Sequence, residues 1–466
     1  MHEFKKIDDT IAAISTPVGQ GGIGVIRLSG PLSLSIAQKI FVSKNKKETD
    51  SFKNFTVHYG WIVDKQNSDD IIDEVLLTLM RSPHSYTAED VVEISCHGGI
   101  VSLKAILELV LRHGARLAEP GEFTKRAFLN GRMDLAQAEA VLDIIQSKTD
   151  AFLRVSTHQL KGELSTELEN IREILMDVYT EIEAYVNFPE DEINEQAQGV
   201  LVDKIRQANG RITRLLSSSE HGRILKEGIT VVLCGKTNVG KSSLLNAFLK
   251  TPRAIVSDIA GTTRDTIEET AQIKGIPFQI IDTAGFLTPS DSIEEEAIRR
   301  SRLSVEKADL ILFLLDISQQ LTQEDYALME SVKQKNVLVV LNKSDLKPQW
   351  DEKNIADLFC GQDILKISAL KKEGIQDLEE KIVEKVWHGQ VIDTHGILVS
   401  NLRHIESLKC AQTSLLKAQD IFKQGISLEF ISEEIKESVH FLDEITGRNI
   451  DIDLLDKIFT QFCIGK

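Results

Sequence analysis

The sequence is poor in most of the features that mark special classes of chain. Its unbroken apolar runs reach only about six residues, as at 310–315, whereas a membrane-spanning helix needs about 20. Cysteine is scarce: there are five, none in a Cys-x-x-Cys pair. That excludes a disulfide scaffold and leads us to expect reduced thiols in a cytoplasm. The opening Met1-His2-Glu3-Phe4-Lys5 carries no apolar core of a secretory signal. Positive charge is also lacking, with 54 Lys and Arg against 71 Asp and Glu, a net charge of −17. A general nucleic-acid coat is therefore excluded, and any RNA contact has to come from a local basic patch.

What is present is an ordinary folded composition, 42% hydrophobic and 27% charged over 466 residues, enough for about three domains. Proline divides it. Four of the nine prolines fall between Pro17 and Pro120; none lies between Pro120 and Pro189, and none follows Pro348. The proline-free stretches carry apolar stripes at helical spacing, such as Leu135, Ala138, Leu142 and Ile145, or Leu160, Leu164, Leu168 and Ile171. Residues 408–459 read as helical too. The first 120 residues read instead as short β-rich runs (10–15, 24–28, 55–63, 75–80, 91–95) with helices at 31–41 and 103–112. From about 228 to 386, apolar strands at 230–233, 280–281, 310–315 and 337–341 alternate with helices, which predicts a parallel α/β sheet. Charge divides as −2 over residues 1–125, −5 over 228–388 and −10 over the helical remainder. Against that acidity stands a basic run, Lys204, Arg206, Arg211, Arg214, Arg223 and Lys226. It reads more readily as a solvated helix face than as an RNA contact.

The central segment carries the chemistry. Gly235-Lys236-Thr237-Asn238-Val239-Gly240-Lys241-Ser242 fits G-x-x-x-x-G-K-S between a strand and a helix. Glycines there let the backbone curl around phosphates, Lys241 neutralises the β and γ oxygens, and the Ser242 hydroxyl ligates Mg²⁺. Asp282-Thr283-Ala284-Gly285 follows a strand, as a second phosphate-sensing motif does. Asn342-Lys343-Ser344-Asp345 follows another, and its Asp345 carboxylate can accept from guanine N1–H and N2–H₂, a pair adenine does not offer. Ser368-Ala369-Leu370 matches the loop whose backbone meets guanine O6. The ordered set predicts a Ras-like GTPase. Phe286 stands where Ras-like proteins carry the water-orienting glutamine, so another group must orient water. Thr263 is the expected switch threonine for Mg²⁺. Gly19-Gln20-Gly21-Gly22-Ile23-Gly24 fits a dinucleotide fingerprint in letters only, because a β-rich run follows it rather than a helix.

Asn238, the Gly-Thr-Thr-Arg-Asp run at 261–265 and the Phe-Cys-Ile-Gly-Lys run at 462–466 together resemble the MnmE (TrmE) family, the GTPases of bacterial and organellar tRNA wobble-uridine modification. The likeness runs from Asp9 to the last residue, through 21–30, 85–90, 96–99, 120–124 and 126–131. It implies an α/β multidomain fold: an N-terminal α/β domain that binds tetrahydrofolate and dimerises (1–125), a discontinuous all-α helical domain (126–227 and 389–466), and an inserted Ras-like P-loop GTPase domain (228–388). It implies K⁺ held by Asn238, Ser257, Ile259 and Thr262, and Mg²⁺ held by Ser242 and Thr263. The guanine nucleotide would lie along Asn238, Val239, Gly240, Lys241, Ser242, Ser243, Ser257, Asp258, Ile259, Ala260, Gly261, Thr262, Thr263, Asp282, Thr283, Ala284, Gly285, Asn342, Lys343, Asp345, Ser368 and Ala369. Glu294 would position the attacking water, with Lys241 as the other catalytic residue. Arg27, Glu93, Arg132 and Lys466 would contact a 5-formyl or 5,10-methylene tetrahydrofolate. The family commonly has lysine where this chain has Arg132, and many members have proline at Thr237.

The resemblance further implies a homodimer, an FAD-dependent partner (MnmG) joined in a heterotetramer, tRNA as substrate, and no membrane. Two other readings stay open on the residues alone: a ribosome-assembly GTPase that acts as a binding switch, and a folate-dependent aminomethyl transferase with a regulatory GTPase.

Overall fold

The computed structural model describes residues 8–45, 51–65, 70–187, 195–249, 268–282, 303–349, 362–387 and 396–466. It falls into two compact units. One holds residues 1–142, 159–209 and 407–466, the other 143–158 and 210–406.

The first unit is built on a seven-stranded sheet. Its strands are β1 (Ile11–Ile14), β2 (Gly21–Ser29), β3 (Phe41–Ser43), β4 (Thr56–Asp64), β5 (Asp70–Met80), β6 (Val91–Gly98) and β7 (Arg116–Leu117), in the spatial order β3-β4-β5-β6-β2-β1-β7. Alternation sorts the faces. Ile26, Leu28, Leu77, Leu79, Val92 and Ile94 bury against helices Ser33–Ile40 and Ile100–Arg112, through Ile36, Ile40, Leu103, Ile106 and Leu109. Arg27 and Glu93, directly opposite each other across the β2–β6 ladder, therefore point to the other face. β5 runs five residues further than its apolar half suggests, because Asp70–Glu74 pairs with β4 despite its polarity.

Helices Glu163–Asn187 and Leu428–Thr446 pack together with Leu168, Ile171, Leu175, Ile431, Ile435 and Leu442 inward, and Arg172 Nε donates to Asp443 at 2.8 Å. The stripe expected to run on from Leu160 is broken at Gly162, whose φ of +90° ends one helix before the next begins. The stretch 408–459 is helical as expected, in three helices, Leu402–Gln424, Leu428–Thr446 and Ile452–Phe459.

The second unit is a six-stranded sheet of β8 (Ile229–Cys234), β9 (Glu268–Ile273), β10 (Ile276–Asp282), β11 (Leu310–Asp316), β12 (Val337–Asn342) and β13 (Asp363–Lys366), ordered β13-β12-β11-β8-β10-β9. Five strands are parallel, as the alternation predicts; β9 is an antiparallel edge that polar Glu268 and Glu269 hid from sequence reading. β11 and β12 are buried at every position, because both faces are covered. Leu310, Leu312 and Leu314 pack with Leu244 and Phe248 of helix Lys241–Leu249 and Leu378 and Ile382 of helix Ile375–Trp387. Ile311, Phe313 and Leu315 pack on the opposite side with Leu328 and Val332 of helix Gln323–Val332. Phe152, Val155, Ile224 and Leu225, from helices Asp150–Leu160 and Ser219–Glu227, join the first of these cores and so pack as part of this unit.

Candidate functional site

In a doubly wound sheet, ligands meet the carboxyl ends of the strands where the connections diverge. Here β8 lies between β11 and β10, and its carboxyl end opens into the loop at 235–240 before helix Lys241–Leu249. Three residues of the loop have positive φ: Gly235 at +149°, Asn238 at +66° and Gly240 at +101°. A Cβ on Gly235 would stand 2.5 Å from the Leu314 carbonyl, and one on Gly240 would collide with the Asn342 side-chain amide. The loop is therefore a cradle that side chains would fill. The Lys241 ammonium, largely buried, donates to the Gly235 and Lys236 carbonyls, each at 2.8 Å, which keeps it inside the curl. Lys236 Nζ instead turns outward to Thr322 and Asp325.

Asn342, the last residue of β12 and 2% exposed, ties the motifs together. Its Nδ2 donates to the Val239 carbonyl at 2.8 Å, and its Oδ1 accepts from the Ala369 amide at 3.0 Å. One amide thus fixes the phosphate loop against the loop at 368–370. Lys343, at φ +64°, sends Nζ to Asp316 at 2.6 Å. Burial pushes the Asp316 carboxyl up, but Lys343 and Ser318 outweigh that and hold it below its ordinary value. Asp345 accepts from Ser368 Oγ at 2.6 Å, the main cause of its lowered pKa, so it is ionised and aimed. Asp316 was not singled out from the sequence. Its signal was positional: it ends β11 directly beside Asn342 at the end of β12.

Among the predicted nucleotide residues, Asp282 ends β10. Ser257, Asp258, Ile259, Ala260, Gly261, Thr262, Thr263, Thr283, Ala284, Gly285 and Glu294 lie outside the described residues. The basic run at 204–226 is largely paired: Lys204 with Glu181 at 3.7 Å, Arg206 with Asp203, Arg223 with Glu227 at 3.5 Å, and Lys226 with the buried Asp143 at 2.9 Å.

The other unit holds a second cluster. Arg27 donates from Nε and Nη2 to Glu93 Oε1 at 2.8 and 2.7 Å. Its Nη1 reaches the Gly465 carbonyl at 3.4 Å, and Ser15 Oγ reaches the same carbonyl at 3.2 Å. The chain end is held there by an antiparallel bridge between Pro120 and Ile464 and by bonds from the Gly121 and Phe123 amides to the Cys463 and Lys466 carbonyls. Partial burial and the neighbouring Arg27 charge lower the Lys466 pKa, against Glu93 and Cys463, which raise it. The Arg132 guanidinium carbon lies 4.9 Å from the Tyr86 ring centre, and that of Arg27 lies 5.3 Å from it. Arg27 and Arg132 thus share the Tyr86 ring, and Glu93 and Lys466 lie beside Arg27. Three cations with a single carboxylate among them fit an anionic ligand that also offers donors to Glu93.

A model of the MnmE helical domain matches residues 135–463, and a model of the GTP-binding protein TrmE N-terminus matches residues 10–132. The chain is 44% identical to the tRNA modification GTPase MnmE of Alkaliphilus oremlandii over 99% of its own length and 100% of the relative's. With the MnmE of Clostridioides difficile identity is 45% at the same coverages. With that of Bacillus subtilis it is 43%, over 98% of this chain and all of the relative. The chain belongs to the MnmE family. The family's enzyme class, GTP hydrolase, agrees with the ordered motifs along β8, β10, β12 and β13, and its α/β multidomain fold agrees with the two sheets and their helices. A solved structure of Aquifex aeolicus Era bound to GDP and AlF₄⁻ is 28% identical over 40% of this chain and 67% of its own, with a TM-score of 0.28. Among the described residues no helix is long and apolar enough to cross a membrane. What sequence reading missed in this MnmE-family chain is Tyr86 and Phe123, the rings on which the arginines lie.

Proposed function

We propose that this chain is a potassium-activated GTPase that acts, as a homodimer and with an FAD-dependent partner, to place a C5 aminomethyl or carboxymethylaminomethyl group on wobble uridine of certain tRNAs. The observation that carries the nucleotide half is the Asn342 amide, which locks the phosphate cradle to the loop beside Asp345. The ionised Asp345 accepts from guanine N1–H and N2–H₂; an adenine would leave that carboxylate unmatched, at a cost of about 1–3 kcal/mol per lost bond. Gly240 and its neighbours give their backbone N–H groups to the phosphates, and Lys241 bears on the β and γ oxygens.

Ser242, with Thr263, holds Mg²⁺. Asn238, with Ser257, Ile259 and Thr262, holds K⁺, which when bound supplies the positive charge that an arginine finger supplies elsewhere. Glu294, which the family likeness puts in the water-positioning role, orients the water, because the Phe286 side chain has no polar atom to do so. In the other unit Arg27, Glu93, Arg132 and Lys466 hold a tetrahydrofolate, which when bound supplies the one-carbon unit. Glu93 pairs with pterin donors while the cations face the glutamate tail. GTP turnover moves domains and no phosphate passes to RNA.

Mass spectrometry of tRNA nucleosides from cells with and without the gene tests the reading. Loss of C5-aminomethyl-type uridines is expected; an unchanged profile overturns it in favour of a ribosome-assembly switch. Product formed without the FAD partner would instead favour a self-sufficient folate-dependent transferase. Turnover in KCl should far exceed that in NaCl at equal ionic strength, and Asn238→Ala should erase the difference; equal rates in the two salts would remove K⁺ from the scheme. Glu294→Ala should keep GTP binding and lose hydrolysis, and a normal rate would mean that another group orients the water.

A further inference from the structure

Arg132 is exposed and its guanidinium makes no ion pair among the described residues; its recorded contact is the face of Tyr86, 4.9 Å away. Arg27 lies on the same ring at 5.3 Å while spending Nε and Nη2 on Glu93. A ring can hold a guanidinium through its negative face without occupying any of the five N–H donors. We propose that Tyr86 is a positioning residue that aims Arg132, with its donors free, at the carboxylates of the ligand's glutamate tail. This rests on the folate reading above and deepens it.

The ring itself is held from two sides. Its hydroxyl shares a hydrogen bond with the fully buried Thr124 Oγ1 at 2.9 Å. The loop that carries it is pinned at Glu89, which accepts from Ser29 Oγ at 2.7 Å and from the buried Arg126 at 3.2 Å. Asn130 Nδ2 donates to the Thr87 carbonyl at 2.8 Å on the same loop. A freely rotating arginine would have to be ordered on binding; one already seated on a fixed ring loses less freedom per bond formed.

The test is calorimetric affinity of the full-length protein for two probes: 5-formyltetrahydrofolate, and a reduced pterin that lacks the aminobenzoylglutamate. Tyr86→Leu should weaken the folate about tenfold and the pterin much less. Tyr86→Phe keeps the ring and should restore folate affinity to within about twofold. In Arg132→Gln, adding Tyr86→Leu should cost much less than it does in the wild type, because the ring then holds only Arg27, which Glu93 already fixes. Wild-type protein that binds neither probe overturns the folate reading itself. Wild-type binding left unchanged by Tyr86→Leu overturns the role of Tyr86 while the folate reading stands. Equal loss of both probes in Tyr86→Leu makes the ring mere structural support and also overturns it.

Discussion

In the unit built on β8–β13, the groups we propose for the nucleotide come from the ends of neighbouring parallel strands, and each lies inside a short contiguous motif. In the unit built on β1–β7, Arg27 meets a carbonyl 438 residues further along the chain. The first arrangement is a local backbone shape: three positive-φ residues within six positions, closed by one amide from β12. The second is an encounter of side chains whose partners are set by the register of β2 on β6 and by where the chain end is captured. A phosphate cradle therefore tolerates little change in a few residues. The cationic cluster spreads its dependence over many, and each should be individually less costly.

Substitutions can break that contrast. The largest effect is expected from Asn342→Ala, which leaves the Val239 carbonyl and the Ala369 amide without their partner. Two buried bonds at about 1–3 kcal/mol each should weaken GTP about thirtyfold or more, read as the dissociation constant of a fluorescent GTP analogue. Affinity within threefold of wild type would mean that the two loops hold their shape independently.

Next is Glu93→Gln, which removes the carboxylate under Arg27 at 2.7 Å. Tetrahydrofolate affinity should fall about tenfold with GTP turnover unaltered, because the pair is only partly buried. A hundredfold fall would erase the distinction between the units.

Smaller again is Ser368→Ala. Asp345 loses the bond that aims it, so the preference for GTP over ATP should narrow by about fivefold, measured by competition. An unchanged preference would show that the strand end alone orients the carboxylate.

The smallest effect concerns pH. The Lys466 pKa lies below its ordinary 10.5, through partial burial and the Arg27 charge. The unfolded chain binds this proton more tightly than the folded one, so stability contributed here rises with pH from the lowered folded value up to 10.5 and is lost below that window. Lysine-selective NMR titration should show Lys466 titrating early, and Arg27→Gln should move it back upward. Titration at 10.5 in the wild type would mean the chain end is not seated beside Arg27.

Much of the nucleotide-type unit was legible because its signals are local. A run of six apolar residues at 310–315 has the length and pattern of a strand buried on both faces, and glycines at 235 and 240 announce a backbone curl before any contact is known. The antiparallel β9 was not legible, since its Glu268 and Glu269 gain their strand geometry from pairing with β10 rather than from propensity. Asp70–Glu74 in β5 escaped notice for the same reason. The packing of helices Asp150–Leu160 and Ser219–Glu227 was equally hidden: Phe152 and Ile224 are apolar in any helix, and the sequence does not say which core receives them. In the cationic cluster Arg27, Glu93, Arg132 and Lys466 came from family likeness, and the seating of Arg27 and Arg132 on Tyr86 came only from the folded chain.

By itself the sequence determined the backbone curl at 235–240, the order of the motifs at the strand ends and the α/β and helical classes, since backbone conformation and periodicity depend on near neighbours in the chain. The tertiary structure decided that Asn342 ties two loops together, that the basic run at 204–226 is mostly spent on carboxylates, and that Arg27 and Arg132 share one ring while the chain end meets Arg27. Those contacts depend on strand register and chain capture, where a shift of one residue sends a side chain to the opposite face of the sheet.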